Sequence, residues 1–262
     1  MSSYYPDDYG PYAGTRIEEE PLDTRPRWRR YLSGVVAWLT DANSQRLPPV
    51  PPGRLLEIGC ASGSYLHRMS KAGWEVEGIE FSEKAAALAR SAGYRVLSGP
   101  IETAAGPMGP FDLVVAWMVL EHLHDPVLAL TRIRDWTAPG GRLVASVPNA
   151  NSWELRAFSD AWYALHLPNH LWHPTVHTLN MVLDQGGWRL ERVFFHRDLR
   201  DLLGSIGYVL EDRGWLPGLA TRLKAFPEAG GRLSQVLFPL AFLLAAAGQT
   251  GRMTIWARRK DD

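Results

Sequence analysis

The chain has 262 residues, and its 28 Lys and Arg balance 28 Asp and Glu to a formal net charge of zero. That length accommodates one α/β unit with an insertion and an ample core, while the balanced charge excludes the broad basic field of a nucleic-acid binder. The single cysteine, Cys60, excludes an intramolecular disulfide and suits a reducing cytoplasm, and eleven Trp are enough to line an organic-ligand pocket as well as a core.

In chain order, residues 1–26 are rich in Tyr, Pro, Gly and acids, with neither the basic start nor the apolar stretch of a secretory signal. Tyr4, Tyr5, Tyr9 and Tyr12 are too many aromatics for a purely disordered tail, so this arm is expected to pack on the surface or fold over a cleft. Apolar residues at Trp28, Leu32, Val35, Val36 and Leu39 make a helical stripe, which the proline-rich 47–54 segment stops. Residues 1–53 are thus expected to be an arm and a helix in front of a domain spanning 54–262.

Short apolar strands then alternate with helices of about ten residues, which predicts a Rossmann-like α/β fold with helices on both faces of a mostly parallel sheet. Ser82 is placed to cap one helix and Asp125, followed by Pro126, another. The fifth strand is expected after the Pro139-Gly140-Gly141 turn, the sixth over 187–195 and the last over 253–259. Residues 196–250 form a mostly helical insertion between strands six and seven. Its apolar run at 236–248 is too short to span a bilayer and contains Pro239. Two readings stay open for it: a buried helix, or a membrane- or lipid-facing surface.

The whole chain is organised around RLLEIGCASGSY at 54–65. A strand passing through glycines into a helix N-terminus brings backbone N–H groups and a positive dipole end toward a ligand. Glu80 closes the next strand, where a carboxylate can grip a ribose diol.

On these residues the chain resembles the class I S-adenosylmethionine-dependent methyltransferases. EIGCASGS matches the family's compact glycine turn, and FDLVVAWMVLEHLHDP resembles the motif after strand four in ubiquinone-type and sugar-modifying members. The resemblance implies S-adenosyl-L-methionine as cofactor, a last strand antiparallel to the rest, and transfer of a methyl group to a small-molecule, sugar or quinone-like acceptor, on oxygen by preference. It also implies that Gly59, Ala61 and Gly63 pass close to the methionine part of the cofactor. Glu57 would order the turn, Glu80 hold the ribose and Phe81 lie against adenine. Pro100 stands where an adenine-reading acid is expected, which moves that contact to Ile101. Trp117 would face the cleft. The alternatives are an NAD-dependent oxidoreductase or a catalytically inactive binding protein of the same fold.

His166, His170 and His173 fall within eight residues, and Glu121 and His122 form an acid–histidine pair. An imidazole is the side chain best poised to take a hydroxyl proton near neutral pH. His170 is the first candidate base, with His166 and His122 behind it. No metal is expected, because Pro168 interrupts helical spacing and no nearby cysteine completes a ligand set.

Overall fold

The structure is a computed structural model that describes residues 45–229 and 237–261, together with Pro26, Trp28 and Tyr31. Apart from those three residues, the tyrosine-rich arm and the stripe at 28–42 lie outside the described residues, as does the start of the apolar run at 236. The sheet has seven strands: β1 Arg54–Ile58, β2 Glu75–Glu80, β3 Arg95–Ser98, β4 Phe111–Trp117, β5 Thr137–Pro148, β6 Trp188–Phe195 and β7 Arg252–Arg259. Their order is β3-β2-β1-β4-β5-β7-β6. The pairs among β1 to β5 are parallel, and β7 runs antiparallel to both β5 and β6. This is the expected Rossmann-like sheet with its reversed last strand.

Eight helices accompany it among the described residues: α1 Ser64–Lys71, α2 Glu83–Ser91, α3 Pro126–Trp136, α4 Trp153–Phe158, α5 Val176–Gln185, α6 Arg200–Asp212, α7 Pro217–Ala229 and α8 Phe238–Ala246. Their boundaries follow local chemistry. The Ser82 hydroxyl accepts from the Ala85 amide, and Asp125 accepts from the Leu128 amide ahead of Pro126. Each cap satisfies an amide the first turn leaves without a partner. The helices α6, α7 and α8 lie between β6 and β7.

Strand alternation sorts the core onto two faces. Leu56, Ile58, Val114, Ala116, Leu143 and Ala145 meet α3 and α5 on one side. Leu55, Leu113, Val115 and Val144 meet Tyr65 and Met69 of α1 on the other. Buried Trp188 donates its indole N–H to the Leu130 carbonyl at 2.9 Å, so even this large core residue leaves no orphaned donor.

One boundary differs from the sequence reading. The fifth strand begins at Thr137, and Pro139-Gly140-Gly141 sits inside it. Phe111 pairs with Thr137, then Leu113 with Arg142, so the chain bulges between them. Gly140 takes φ +73 there, and a bulge absorbs the extra residues without ending the ladder. The connection returning from β3 to β4 crosses to the far side of β1. The carboxyl ends of β1 and β4 therefore form the point where strand order reverses, the place where open α/β sheets collect ligands.

Candidate active site

A cleft of about 850 Å³ opens at that edge. Its floor is Gly59 and Ala61 from the glycine turn, with Ile79, Glu80 and Phe81 from the end of β2. Gly99, Pro100, Ile101 and Glu102 follow from the β3 end, and Trp117, Met118 and Val119 from β4. The opposite wall is His122, Tyr163, His166 and His170, closed by Pro227 of α7 and Arg252 of β7.

The glycine turn owes its shape to backbone conformation. Gly59, Ala61 and Gly63 have φ of +73, +45 and +85, the left-handed region in which a side chain is costly. A Cβ on Gly59 would also lie 2.6 Å from the Val119 side chain, and one on Gly63 would lie 3.0 Å from the Ala89 Cβ. Ala61 tolerates its conformation because its amide donates to Glu80 Oε2 at 2.8 Å. Glu80 Oε1 accepts from the Ser82 amide at 2.8 Å. Burial raises the Glu80 carboxyl, and these backbone donors oppose the rise. Glu80 therefore ties β2, the glycine turn and the start of α2 together besides facing the cleft.

Two residues of the sequence-based site stand back from the cavity. Gly63 is the N-cap of α1, and its small size is needed where that helix passes Ala89 of α2. Glu57 is buried beneath the turn, and desolvation raises its carboxyl well above the usual range, against the pull of Arg68. Cys60 packs among Leu66, Ala86, Ala89 and Val96, and burial, with Glu57 and Glu80 nearby, pushes its thiol up. It is a packing residue, since the nucleophile would be the thiolate. Phe81 is partly exposed at the cleft, Ile101 is almost fully buried in its wall, and Trp117 stands edge-on to Tyr65 at 5.4 Å between centroids.

The opposite wall is a knot of imidazoles. His170 packs edge-on against His122 at 4.8 Å and against His166 at 4.9 Å, with His173 at 5.9 Å. Carbonyl partners fix the rings: His170 Nδ1 donates to Ala164 at 2.8 Å, His122 Nδ1 to Asn169 at 3.0 Å, and His173 Nε2 to Leu165 at 2.9 Å. His170 Nε2 faces Glu121 Oε1 at 3.9 Å. Glu121 is fully buried, neither carboxyl oxygen has a hydrogen-bond partner, and burial pushes its pKa up to about 8. Burial, with His122 beside it, pushes His170 down to about 3, and burial also lowers His122. Hence at neutral pH His170 is uncharged with its Nε2 lone pair turned toward a protonated carboxyl.

The three loop histidines do not converge, since His173 turns to the Leu165 carbonyl. Among the described residues the set whose metal-ligating atoms come together, within 4.8 Å of one another, is Glu121, His122 and His170. The acid–histidine pair is also architectural: the Leu171 amide donates to the Glu121 carbonyl at 2.8 Å, and Trp172 Nε1 donates to the Leu120 carbonyl at 2.7 Å. The histidine loop thus hangs on the turn after β4.

Sequence reasoning missed Tyr163 and Arg252. Arg252 is held by Asp201 through Nε at 2.6 Å and Nη2 at 2.8 Å, and the Tyr163 amide donates to Ser205 Oγ at 2.9 Å. No local spacing announces either, because their partners lie about forty to fifty residues away in α6.

A family model described as a methyltransferase domain matches residues 28–193. The ubiquinone biosynthesis O-methyltransferase of Aromatoleum aromaticum is 36% identical over 105 residues, covering 37% of this chain and 45% of that protein. The chain thus spans about half the length of the curated relatives it matches. An S-adenosylmethionine-dependent methyltransferase from Mesorhizobium loti shares the fold with TM-score 0.53 at 22% identity, over 87% of this chain and all of the other. Magnesium protoporphyrin IX methyltransferase from Synechocystis, solved with bound SAH, does so with TM-score 0.53 at 15% identity, over 99% and 97%. With most of the chain inside the family model and the glycine turn and Glu80 at the switch point of its sheet, the chain belongs to the class I S-adenosylmethionine-dependent methyltransferases.

Proposed function

We propose that the protein transfers a methyl group from S-adenosyl-L-methionine to a hydroxyl oxygen of a small-molecule acceptor, with a quinone-like or aromatic ring favoured over a sugar. The observation that carries this is one continuous cleft with the glycine turn and Glu80 on one side and His122 and His170, backed by buried Glu121, on the other. The names of the ubiquinone O-methyltransferases support the quinone-like acceptor. The oxidoreductase alternative falls with the family assignment.

The residues fit the cofactor. Gly59 lies at the cleft where a Cβ would collide with Val119, and Glu80 brings a buried carboxylate to the cleft floor. When bound, S-adenosylmethionine supplies an activated methyl on a good leaving group. The chain supplies position and electrostatics. Gly59 and Ala61 hold the methionine part, Glu57 and Gly63 support the turn from behind, and Glu80 grips the ribose hydroxyls. Phe81 and Ile101 flank the adenine, and Trp117 walls the centre of the cleft. On the acceptor side His170 is the first proton acceptor, with His166 and His122 beside it, and Tyr163 and Arg252 orient the ring. Burial weakens His170 as a base, so it passes the proton on only when the adjoining Glu121 is ionised, and that carboxylate is then the proton's final holder.

Displacement at a sulfonium needs no Lewis acid, and we hold the reaction to be metal-free. The test is a two-part assay on the purified full chain. Calorimetric titration with S-adenosylmethionine is followed by labelled-methyl transfer to a panel of phenols, hydroquinones and sugars, with and without a chelator. Binding with no transfer to any acceptor would favour an inactive binding protein. Turnover lost on chelation and restored by a divalent ion would make Glu121, His122 and His170 a metal centre.

A further inference from the structure

The helix α8, FPLAFLLAA, does not behave as a surface helix of a protein surrounded by water. Such a helix buries one stripe and turns polar residues outward. Here Ala241 is the buried residue, while Leu240, Phe242 and Leu243 are 46%, 41% and 67% exposed. One side packs on Leu199, Leu202, Ile206, Trp153 and Phe158. The rest is as apolar as the packed side, and no charged residue occurs from 233 to 251.

At about 1.5 Å per residue the helix is roughly 14 Å long, under half of a bilayer core. No helix among the described residues is long and apolar enough to cross a membrane. The rim around α8 is basic. The Arg197 guanidinium lies over the Phe242 ring at 5.3 Å, and exposed Arg156 donates to Gln249, just beyond the helix. Two of the acids near this rim are engaged in ion pairs: Asp198 with Arg200, and Asp201 with Arg252. An apolar ridge flanked by cations complements the headgroups and upper acyl chains of an anionic bilayer.

We infer that α8 is a docking helix that seats the protein on an anionic lipid surface. Its position gives this a use. α6 and its N-cap touch α8 through Leu202 and Leu199, and elsewhere on α6 Gly204 and Ser205 contact Tyr163 of the cleft wall. One helix therefore separates the membrane-facing ridge from the acceptor side of the cleft. Docking does not depend on the methyl-transfer reading, and each can fail alone.

The test is flotation of the full chain with phosphatidylcholine vesicles and with vesicles containing phosphatidylglycerol. Wild type is expected to float with the anionic vesicles, less so at high salt. L240E/L243E should reduce binding at least tenfold, and Arg197→Gln should reduce it several-fold. Because Leu243 is the most exposed of the three, Leu243→Glu serves as a second variant that leaves the packing of α8 untouched, and thermal melts verify folding. No binding to either vesicle, or equal binding by wild type and L240E/L243E, would overturn the proposal, as would indifference to lipid charge. Wild-type dimers that L240E/L243E dissociates, without vesicle binding, would make this face an interface between two copies instead.

Discussion

The two sides of the cleft are built on opposite principles. On the glycine-turn side the carboxylate at the cavity floor is satisfied by backbone: Glu80 holds the Ala61 and Ser82 amides, and the turn's left-handed residues are set by sterics. On the histidine side the rings are anchored by carbonyls, yet Glu121 is left with both oxygens unpartnered in the dry interior. An unpartnered buried carboxyl is costly and persists where something else requires it. The first side is preorganised for a fixed ligand; the second keeps groups in reserve for chemistry.

Gly63→Val tests the first side hardest. It places a branched side chain at φ +85 against Ala89, so the α1 N-terminus must shift, and cofactor binding should be lost. Normal calorimetric affinity in a folded variant would show that the turn is not the binding element. On the second side, His170→Ala should lower turnover by about two orders of magnitude or more while cofactor affinity stays near wild type. With His170 held at about 3, the rate should show no histidine limb near 6.5, and it should rise as pH approaches the value of about 8 at which Glu121 ionises. A clear inflection near 6.5 would transfer the role to a more ordinary imidazole. Third, Glu80→Ala should weaken cofactor binding by about 1.5–3 kcal/mol, roughly tenfold to a hundredfold or somewhat more. Because Glu80 also ties down the Ala61 amide, Glu80→Gln should recover only part of this. Unchanged affinity in either variant would break the assignment.

The same division governs what was legible in the sequence. The sheet, the caps at Ser82 and Asp125, the glycine turn and the place of Glu80 are local: each follows from period-two burial, a capping hydroxyl or carboxylate, or a glycine at a strand end. The histidine side is not local. That Glu121 lies fully buried opposite His170, and that His173 turns away to Leu165, depends on a loop folding back across the turn after β4. Arg252 reaches the cleft through its pairing with Asp201 in another element. The start of β5 was misplaced because a Pro-Gly-Gly sequence signals a turn, whereas in the sheet it is absorbed as a bulge.

The last prediction concerns stability rather than binding or turnover, and sharpens the idea that buried carboxyls accumulate behind the acceptor wall. Glu154 is buried next to Arg252. Its Oε1 accepts from the Gly251 amide at 3.1 Å and its Oε2 has no partner. Burial first, and then Asp201, raise its pKa to about 8, against the pull of the Gly251 amide and Arg252. Unfolded, it titrates near 4.5, so below that pH both states are protonated and it carries no penalty. As pH rises toward 8 the unfolded chain ionises while the folded one stays protonated, and stability falls by at most about 1.4 kcal/mol per pH unit. Above about 8 the folded group ionises too and the loss levels off. Glu154→Gln keeps the uncharged shape and the acceptor for Gly251 but removes the titration. Melting temperatures of the variant minus wild type should therefore climb steadily between pH 4.5 and 8, whatever their sign at the acid end. Parallel curves across that window would mean that Glu154 ionises in the folded protein as it does in water, and that the carboxyl is solvated rather than held in reserve.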